Sequence, residues 1–404
     1  MRVWYVVPYP PSLIRVRPYN LIRQLSARGH QVTVFTVWAD DRERLEADAL
    51  RPHVQAVRGI HMPRWRSLAN SLLAVPGGAP LQSVYGWDEA LLDGVSDLDA
   101  PDIIQVEHLR GARYALRLKD WRSKLKNYVP VVWDSVDCIS LLFEQAAGRS
   151  RRLMSRMMTR FELGRTRRYE AWLAGQFDRV LVTSPKDQDA FRSLAPSIVA
   201  EGRVEVLPNG VALDYFTPDP THPRDAATLV ISGKMSYHAN VTMAVQFAQR
   251  VFPIVKSARP DVKLVIVGKD PAAEVRALAT DPAVTVTGGV PDVRPYLRQA
   301  NVAVAPIAYG VGIQNKVLEA MAVGTPVVCT PQAVSALQTV DGRDLIVAES
   351  ETDQAQAIVG LLNDPARAAQ IGSAGRAYIE RQHDWSRITE RLEAIYHGIP
   401  LHVR

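Results

Sequence analysis

The chain has 404 residues, of which 47% are hydrophobic and 22% are charged, with a formal net charge of +6. This is the balance of a globular protein, and the length predicts two domains rather than a single core. The only two cysteines, Cys138 and Cys329, exclude a disulfide framework and a zinc motif. No signal peptide is visible and no apolar run approaches the length of a membrane span, so we expect a cytoplasmic protein, peripheral at the inner face of the plasma membrane if it binds lipid.

The first half of the chain alternates short β-rich runs with amphipathic helical patterns. A buried strand is predicted over 3–7, followed by a helix over 17–28 that Gly29 ends and a strand over 31–36. Further strands are predicted over 103–107, 129–133, 179–184 and 203–208. This alternation predicts a parallel, doubly wound sheet.

A change of composition then divides the chain. Residues 214–228 are rich in proline and polar residues and lack periodicity, which predicts a linker. The alternation restarts after it, with strands predicted over 228–232, 262–268, 284–288, 301–306 and 325–329 and helices near 353–362, 365–381 and 384–398. The predicted fold class is therefore α/β, with two Rossmann-like doubly wound domains over 1–213 and 229–382.

The segment 301–329 is predicted to form a strand, a glycine-bearing loop, a helix and a second strand. The loop contains Gly312, and the helix carries Lys316 in its first turn and Glu319 one turn later. A helix N-terminus beyond the carboxyl end of a parallel strand attracts anions through free N–H groups and its dipole. A diphosphate would suit Lys316 there, and Glu319 is placed to accept hydrogen bonds from ribose hydroxyls. Taken in isolation, the pattern would favour an exposed Lys316 and a Glu319 that only supports the helix.

The same segment resembles the donor-binding signature of retaining glycosyltransferases of the GT-B fold, glycosyltransferase family 4 (group 1). That signature is Glu-x7-Glu followed by Ala-Met-Ala-x-Gly-x-Pro-Val-Val. Glu319 is similar to its second glutamate, while Val311 stands at the first. The residues after Glu319 that match are Ala320, Met321, Ala322, Gly324, Pro326, Val327 and Val328. A subset of the family has Gly-Ile-x-Asn-Lys-x-Leu-Glu, which Gly312, Ile313, Asn315, Lys316, Leu318 and Glu319 match. The nearest resemblance is to sugar transferases associated with bacterial exopolysaccharide export.

Further matches extend the resemblance along the chain. Residues 207–219 resemble the family's Pro-Asn-Gly-Val junction, and 383–396 resemble its closing helix, which implies that residues 383–404 cross back to the first domain. Residues 231–241 are similar to a phosphate-gripping loop, with Lys234 at the family's arginine position. The family's later lysine is replaced by Ala239, and Lys316 would supply the missing charge. The implied donor-binding residues are Gly233, Asn240, Gly268, Gly289, Val290, Gly312, Ile313, Gln314, Asn315 and Glu319.

The resemblance implies two domains facing across a cleft and a chemistry for it. A sugar would leave a UDP- or GDP-linked donor for a glycan or lipid-linked acceptor in cell-surface or exopolysaccharide synthesis, with no separate cofactor. Lys234 and Lys316 would meet the charge of the departing diphosphate. No Asp-x-Asp motif is found where a metal would be expected, so no metal is predicted. His108, after strand 103–107, would lie near the donor sugar, and a histidine that caps the next helix is an equal alternative.

Two groups of arginines remain. Arg15 and Arg17 follow the first strand, and we predict surface arginines there rather than donor contacts. Within Arg149–Arg168, apolar residues 153, 154, 157, 158 and 161 share a helical face beside an arginine stripe. Such a helix can lie on an anionic membrane surface, although a core-facing apolar stripe beside solvated arginines is slightly favoured.

Other classes of function fit less well. A catalytically degenerate sugar-nucleotide or glycan-binding protein of the same fold is the main alternative, because Val311 and Ala239 depart from the family pattern. A sugar-nucleotide epimerase would need acid and base carboxylates that the sequence does not place. A dehydrogenase is excluded because no Gly-x-Gly-x-x-Gly follows the first strand, and no basic–aromatic module indicates nucleic-acid binding.

Overall fold

The computed structural model describes residues 1–12, 15–123, 125, 128–149, 153–219, 221, 224–225, 227–308 and 312–400, without the side chains of 145–149 and 153–159. The chain divides into two compact units. Unit 1 contains Met1–Pro208 together with the C-terminal segment from Ile388, and unit 2 contains Asn209–Arg387.

Unit 1 is built on a seven-stranded, wholly parallel sheet. Its strands are β1 (Arg2–Val7), β2 (Gln31–Trp38), β3 (Ala56–His61), β4 (Ile103–Glu107), β5 (Val131–Val136), β6 (Arg179–Val182) and β7 (Val204–Val206). The spatial order is β3-β2-β1-β4-β5-β6-β7, so the direction of winding reverses between β1 and β4. Nearly continuous runs of buried valine, isoleucine and aromatic residues form the central strands, as expected of a sheet covered on both faces.

Helices connect and cover these strands. They are α1 (Val16–Ala27), α2 (Asp41–Asp48), α3 (Arg64–Ala74), α4 (Leu81–Tyr85), α5 (His108–Arg122), α6 (Ile139–Arg149), α7 (Leu153–Ala174), α8 (Pro185–Leu194) and α9 (Pro196–Ala200). Helix α18 (Trp385–His397) also contributes to unit 1, because the hydroxyl of Tyr396 donates to Gln105 in β4. Arg28 and His30 bind Glu393 on the same helix.

Unit 2 repeats the architecture with a six-stranded parallel sheet. Its strands are β8 (Thr228–Ser232), β9 (Lys263–Val267), β10 (Val284–Gly288), β11 (Val302–Ala305), β12 (Val327–Cys329) and β13 (Ile346–Val347). The order β10-β9-β8-β11-β12-β13 reverses between β8 and β11. Its helices are α10 (His238–Gln246), α11 (Phe252–Ala258), α12 (Ala273–Ala277), α13 (Arg294–Gln299), α14 (Asn315–Ala322), α15 (Pro331–Val334), α16 (Glu351–Asn363) and α17 (Pro365–Gln382).

The predicted fold class is confirmed, since both units are doubly wound parallel sheets with helices. The segment predicted as a linker, 214–228, makes specific contacts within unit 2. Arg224 donates to the carbonyl oxygens of Arg298 at 2.9 Å and Ala300 at 2.8 Å, and Arg298 donates to Thr217. In the described part of the chain, no helix is long and apolar enough to cross a membrane.

Candidate functional site

The edge of the unit 2 sheet where the winding reverses is where parallel doubly wound sheets bind ligands. Two segments meet there. Gly233 and Lys234 follow β8, and the loop that ends at Gln314 leads from β11 into α14. Helix α14 buries Val317, Leu318, Ala320, Met321 and Ala322. Lys316 and Glu319 are therefore on its other face, three residues apart, where side chains of a helix are neighbours.

The loops after β8, β9 and β10 are bonded to one another through their backbones. Gly233 N–H donates to Val267 O at 3.1 Å, and Gly268 N–H donates to Gly288 O at 3.1 Å. A Cβ atom on Gly268 would lie 1.6 Å from the carbonyl oxygen of Gly233, so only glycine allows this approach. The result is a fixed floor of backbone groups beside α14.

Lys316 reaches across this floor to the loop after β8. Its Nζ donates to Asn240 Oδ1 at 2.9 Å and lies 3.5 Å from Gln314 Oε1. Asn240 in turn donates to the carbonyl oxygen of Lys234 at 3.0 Å, and its amide lies against Gly233. The structure therefore places the Lys316 ammonium beside Asn240, next to the alanine where the family pattern has its second lysine.

Lys316 and Glu319 are both half-buried, and burial shifts both of their pKa values. Desolvation lowers the pKa of Lys316 to about 8, although Glu319 opposes the shift. Desolvation raises the pKa of Glu319 to about 7, although Lys316 opposes it. Among the described residues, Lys316 has no salt bridge, so its hydrogen-bond partners are neutral amides. Paired groups with opposite shifts at a sheet switch point are typical of a ligand site.

The remaining predicted donor residues lie in the same loops. Gly312 adopts a left-handed φ of 68°, Ile313 is buried, and the Oδ1 atom of Asn315 is buried without a hydrogen-bond partner among the described residues. A Cβ on Gly289 would lie 3.2 Å from the side chain of Lys269, and Val290 packs against the core of unit 2. Val311 lies outside the described residues. No group of three or more His, Cys, Asp or Glu side chains suited to a metal occurs within the described residues.

In unit 1, His108 lies at the end of β4, beside its own sheet reversal. Its φ of 65° is a left-handed conformation that costs a non-glycine residue energy and is enriched at functional sites. The N–H of Arg110 donates to His108 Nδ1 at 3.3 Å, so the histidine does cap the start of α5. Burial lowers the pKa of His108 to about 3, so the ring is neutral and Nε2 carries its proton.

A buried polar cluster in unit 1, which the sequence did not indicate, begins at Glu107, the residue before His108. It consists of Arg17, Asp134, Glu107, Tyr5 and Tyr9. Arg17 forms a two-bond ion pair with Asp134, Nε to Oδ2 at 2.9 Å and Nη2 to Oδ1 at 3.1 Å. Their side chains are 4% and 0% exposed. The prediction of a surface arginine at position 17 is therefore wrong, because Asp134, on a strand 117 residues away, compensates its charge. Arg15 is partly exposed and pairs with Glu43 at 2.8 Å.

Glu107 belongs to the same cluster. It accepts hydrogen bonds from the hydroxyl groups of Tyr9 at 2.8 Å and Tyr5 at 3.3 Å. Burial, reinforced by the charge of Asp134, raises the pKa of Glu107 well above its ordinary value. The sequence showed Glu107 only as the last residue of a predicted strand. Its partners come from other strands and from the loop after β1.

The proposed membrane helix, Arg149–Arg168, falls partly outside the described side chains. Of its apolar face, Phe161 is described and is 49% exposed, so it does not follow the core-facing interpretation. Arg165 is buried, and its guanidinium lies 4.9 Å from the Phe161 ring.

Comparison with known families assigns both halves of the chain. A sequence profile described as "Glycosyl transferase 4-like domain" matches residues 14–210. A second profile, described as "Glycosyl transferases group 1", matches residues 226–364. The two matches lie on the two sheets described above.

The chain is also similar to individual proteins. It is 30% identical over 223 residues to a Corynebacterium glutamicum protein named "GDP-mannose-dependent monoacylated alpha-(1-6)-phosphatidylinositol monomannoside mannosyltransferase", covering 48% of this chain and 56% of that one. The match thus spans about half the length of that relative.

Similar solved structures cover almost the whole chain. They include sucrose-phosphate synthase from Thermosynechococcus elongatus, with a TM-score of 0.67, 18% identity and 98% of each chain covered. They also include Anabaena Alr3699/HepE in complex with UDP, with a TM-score of 0.67, 16% identity, and 98% of this chain and 100% of that one covered. At these identities the likeness shows the fold, which is GT-B. The chain therefore belongs to the group 1 glycosyl transferases, with a glycosyl transferase 4-like domain in its first half.

Proposed function

We propose that the protein transfers a sugar from a nucleotide diphosphate sugar to an acceptor, with the donor bound on unit 2. The observation that carries this proposal is the position of Lys316. Its ammonium is held by Asn240 beside the Gly233–Lys234 turn, at the start of α14 and at the sheet reversal. A cation and helix N–H groups in one place form a diphosphate site.

The proposed chemistry follows from the departure of the nucleoside diphosphate. When the bond between the sugar C1 and the phosphate oxygen breaks, its electron pair stays on the diphosphate. Lys316, Lys234 and the backbone of Gly312 and Ile313 would stabilise that charge without a metal. Of these groups, the Lys316 ammonium is already held in place by Asn240 before the bond breaks. Glu319 would accept hydrogen bonds from the ribose hydroxyls.

We infer a retaining reaction from the resemblance of 312–328 to retaining transferases. The acceptor hydroxyl would attack C1 on the face that the diphosphate leaves, and its proton would pass to the leaving phosphate oxygen. His108 would donate a hydrogen bond through Nε2–H to the donor sugar, a role that its neutral ring permits.

The relatives support a choice of donors and acceptors to test. The Corynebacterium glutamicum relative is named for GDP-mannose and a phosphatidylinositol monomannoside, and the Anabaena structure contains UDP. UDP- and GDP-linked hexoses, with glycan or lipid-linked acceptors of cell-surface or exopolysaccharide synthesis, are therefore the substrates we propose. The hydrogen-bond partners of Lys316 are neutral amides, so its charge is available to a diphosphate, but this contact does not select the sugar.

The proposal is tested by incubating the chain with UDP- and GDP-hexoses and an acceptor, with and without EDTA. We expect nucleoside diphosphate release that EDTA leaves unchanged, loss of release in Lys316→Ala, and an NMR spectrum showing the anomeric configuration of the donor in the product. An inverted product would overturn the retaining reaction, and sensitivity to EDTA would overturn metal independence.

A catalytically degenerate binding protein is the second candidate, favoured by Val311 at the position of the family's first glutamate. It predicts that nucleotides bind in a Lys316-dependent manner while no donor is turned over with any acceptor. Turnover by the wild-type chain that Lys316→Ala abolishes would exclude it.

A further inference from the structure

Helix α3 is an amphipathic helix whose apolar side faces solvent, whereas an ordinary surface helix buries that side. Its large apolar side chains face water: Trp65 is 68% exposed, Leu68 58%, Leu72 71% and Leu73 81%. We call these four residues the α3 face. The residue that α3 buries is Ser67. A surface helix normally buries its apolar stripe, so this arrangement indicates a second, non-aqueous environment for the α3 face.

The orientation of α3 is fixed by its polar side. Asn70 donates from Nδ2 to the carbonyl oxygens of Trp87 at 2.8 Å and Val84 at 3.2 Å. Arg66 forms a 2.6 Å ion pair with Asp88, which is 4% exposed. Rotating the helix to bury its leucines would break these bonds, so the apolar residues are held outward.

Helix α3 itself carries only positive charge. Arg64–Ala74 contains two arginines and no acidic residue. At about 100° per residue, Arg64 and Arg66 flank the apolar arc on its two sides. These two arginines also contact Asp40 and Asp88, at 3.5 and 2.6 Å. Two further arginines near the α3 face, Arg113 and Arg168, form no salt bridge with a carboxylate within the part of the chain that the structure describes.

Arg113 is one of these further cations. Together with Leu73 it lines a cavity of about 330 Å³ beside α3. Arg113 is exposed, and its guanidinium lies 5.5 Å from the ring centroid of Trp87. Within the described residues, no carboxylate pairs with it. An apolar side chain and an unpaired cation thus open to solvent in the same place, which suits a lipid phosphate above an acyl chain.

Helix α7 adds an exposed phenylalanine and an exposed arginine to the surface beside α3. Arg165 donates to the carbonyl oxygens of Ala74 and Gly77, joining α7 to the end of α3, and lies 4.9 Å from the ring of Phe161. Phe161 and Arg168 are seven residues apart on α7, on one face, and both are exposed. No carboxylate among the described residues pairs with Arg168.

We propose that the α3 face docks on an anionic lipid bilayer, with its tryptophan and leucines among the acyl chains near the headgroups. Arg113 and Arg168 contact lipid phosphates. Tryptophan at one end, leucines along one side and arginines at the margins are the composition of interfacial helices. The cations select an anionic surface over a protein groove, which an apolar helix face alone would not do. This surface is distinct from the donor site and does not depend on the transfer reaction.

The test is co-sedimentation of the full chain with vesicles of phosphatidylcholine, alone or mixed with phosphatidylglycerol. We expect binding to the mixed vesicles, weakening in high salt and in the variant Arg113→Gln/Arg168→Gln. The variant Leu72→Ser/Leu73→Ser should bind the mixed vesicles at least about tenfold more weakly than the wild type, because two leucines no longer enter the bilayer. Since these side chains are exposed, an unchanged circular dichroism spectrum and melting temperature are expected.

Leu45→Ser is the matched control, because Leu45 is 64% exposed on α2 and lies outside the α3 face. It should bind as the wild type does. The proposal is overturned if the wild type binds neither vesicle, if it binds both equally, or if Leu72→Ser/Leu73→Ser retains full binding. It is also overturned if that variant changes the mass in light scattering without changing vesicle binding, since a second copy of the chain would then cover the face.

Discussion

At the scale of single residues, the donor site that we propose depends most on Lys316. Its pKa of about 8 makes it charged at neutral pH and increasingly neutral above that value. We therefore predict that affinity for a nucleoside diphosphate falls as pH rises through about 8. In Lys316→Arg the guanidinium stays charged, so the alkaline fall should disappear even if affinity at neutral pH is lower. Calorimetric titrations at several alkaline pH values measure this, and an identical fall in the variant would assign it to another group.

Glu107 provides a second test at the residue scale. Its carboxyl has a pKa near 8 in the fold, against an ordinary value of 4.5. Between these values the folded chain holds more protons than the unfolded chain, so the contribution of Glu107 to stability is present at low pH and is lost as pH rises. Glu107→Gln keeps an oxygen for Tyr9 and Tyr5 to donate to.

We predict that the free energy of unfolding of Glu107→Gln depends less steeply on pH between about 5 and 8 than that of the wild type. Denaturant titrations at each pH measure it. Gln105→Glu, which adds a carboxyl to the same cluster, is the opposite control and should steepen the dependence. Parallel curves for wild type and Glu107→Gln would contradict a protonated Glu107.

At the scale of elements, the paired loops after β8 and β9 depend on Gly268. A methyl group there would collide with the carbonyl of Gly233, so Gly268→Ala should push the two loops apart. We predict a loss of roughly 1–3 kcal/mol in stability and weaker nucleotide binding. Gly360→Ala in α16 is the control, because nothing lies within 4 Å of its added Cβ, and it should stabilise by about 0.5–1 kcal/mol. Equal effects of the two changes on melting and binding would refute this account of the loops.

The elements also show what the sequence can and cannot predict. The strands 103–107, 228–232 and 284–288 were predicted with their observed bounds, because buried parallel strands are short continuous apolar runs. Strand β3 escaped prediction because Ala56–His61 is an edge strand that contains arginine and glycine. Helix α3 was not predicted, although Trp65, Leu68, Leu72 and Leu73 recur at helical spacing. What the sequence could not show is that this apolar side of α3 faces solvent.

The candidate site, like the secondary structure, was predictable from the sequence only in part. The loop and helix around Lys316 form a local pattern, and the sequence placed them together. The contact of Lys316 with Asn240 joins residues 76 apart and was expected only as a compensation of charge. The Arg17–Asp134 pair was missed, because nothing in the local sequence shows which distant strand supplies the carboxylate.

At the scale of the whole molecule, the C-terminal helix α18 should contribute to the stability of unit 1 and not to that of unit 2. Leu392 on α18 is fully buried, and residues from Ile388 onward belong to unit 1. Leu392→Ala should therefore destabilise unit 1 by about 2–5 kcal/mol through a cavity. A nucleoside diphosphate should instead raise the melting temperature of unit 2, where we propose that it binds.

We predict that differential scanning calorimetry shows two transitions that respond separately, one to Leu392→Ala and the other to nucleotide. Leu361→Ala, a buried leucine of α16 in unit 2, is the matched variant and should lower the nucleotide-sensitive transition. If Leu392→Ala lowers the nucleotide-sensitive transition instead, α18 does not act through unit 1.

We propose above that unit 2 binds a nucleoside diphosphate between the loop after β8 and the start of α14. Hydrogen–deuterium exchange with and without UDP or GDP tests it most directly, because it reports which backbone amides the ligand protects. We expect protection of amides in 233–240 and 312–318, and we expect Lys316→Ala to remove it. Protection confined to other segments, or protection that Lys316→Ala leaves intact, would contradict it.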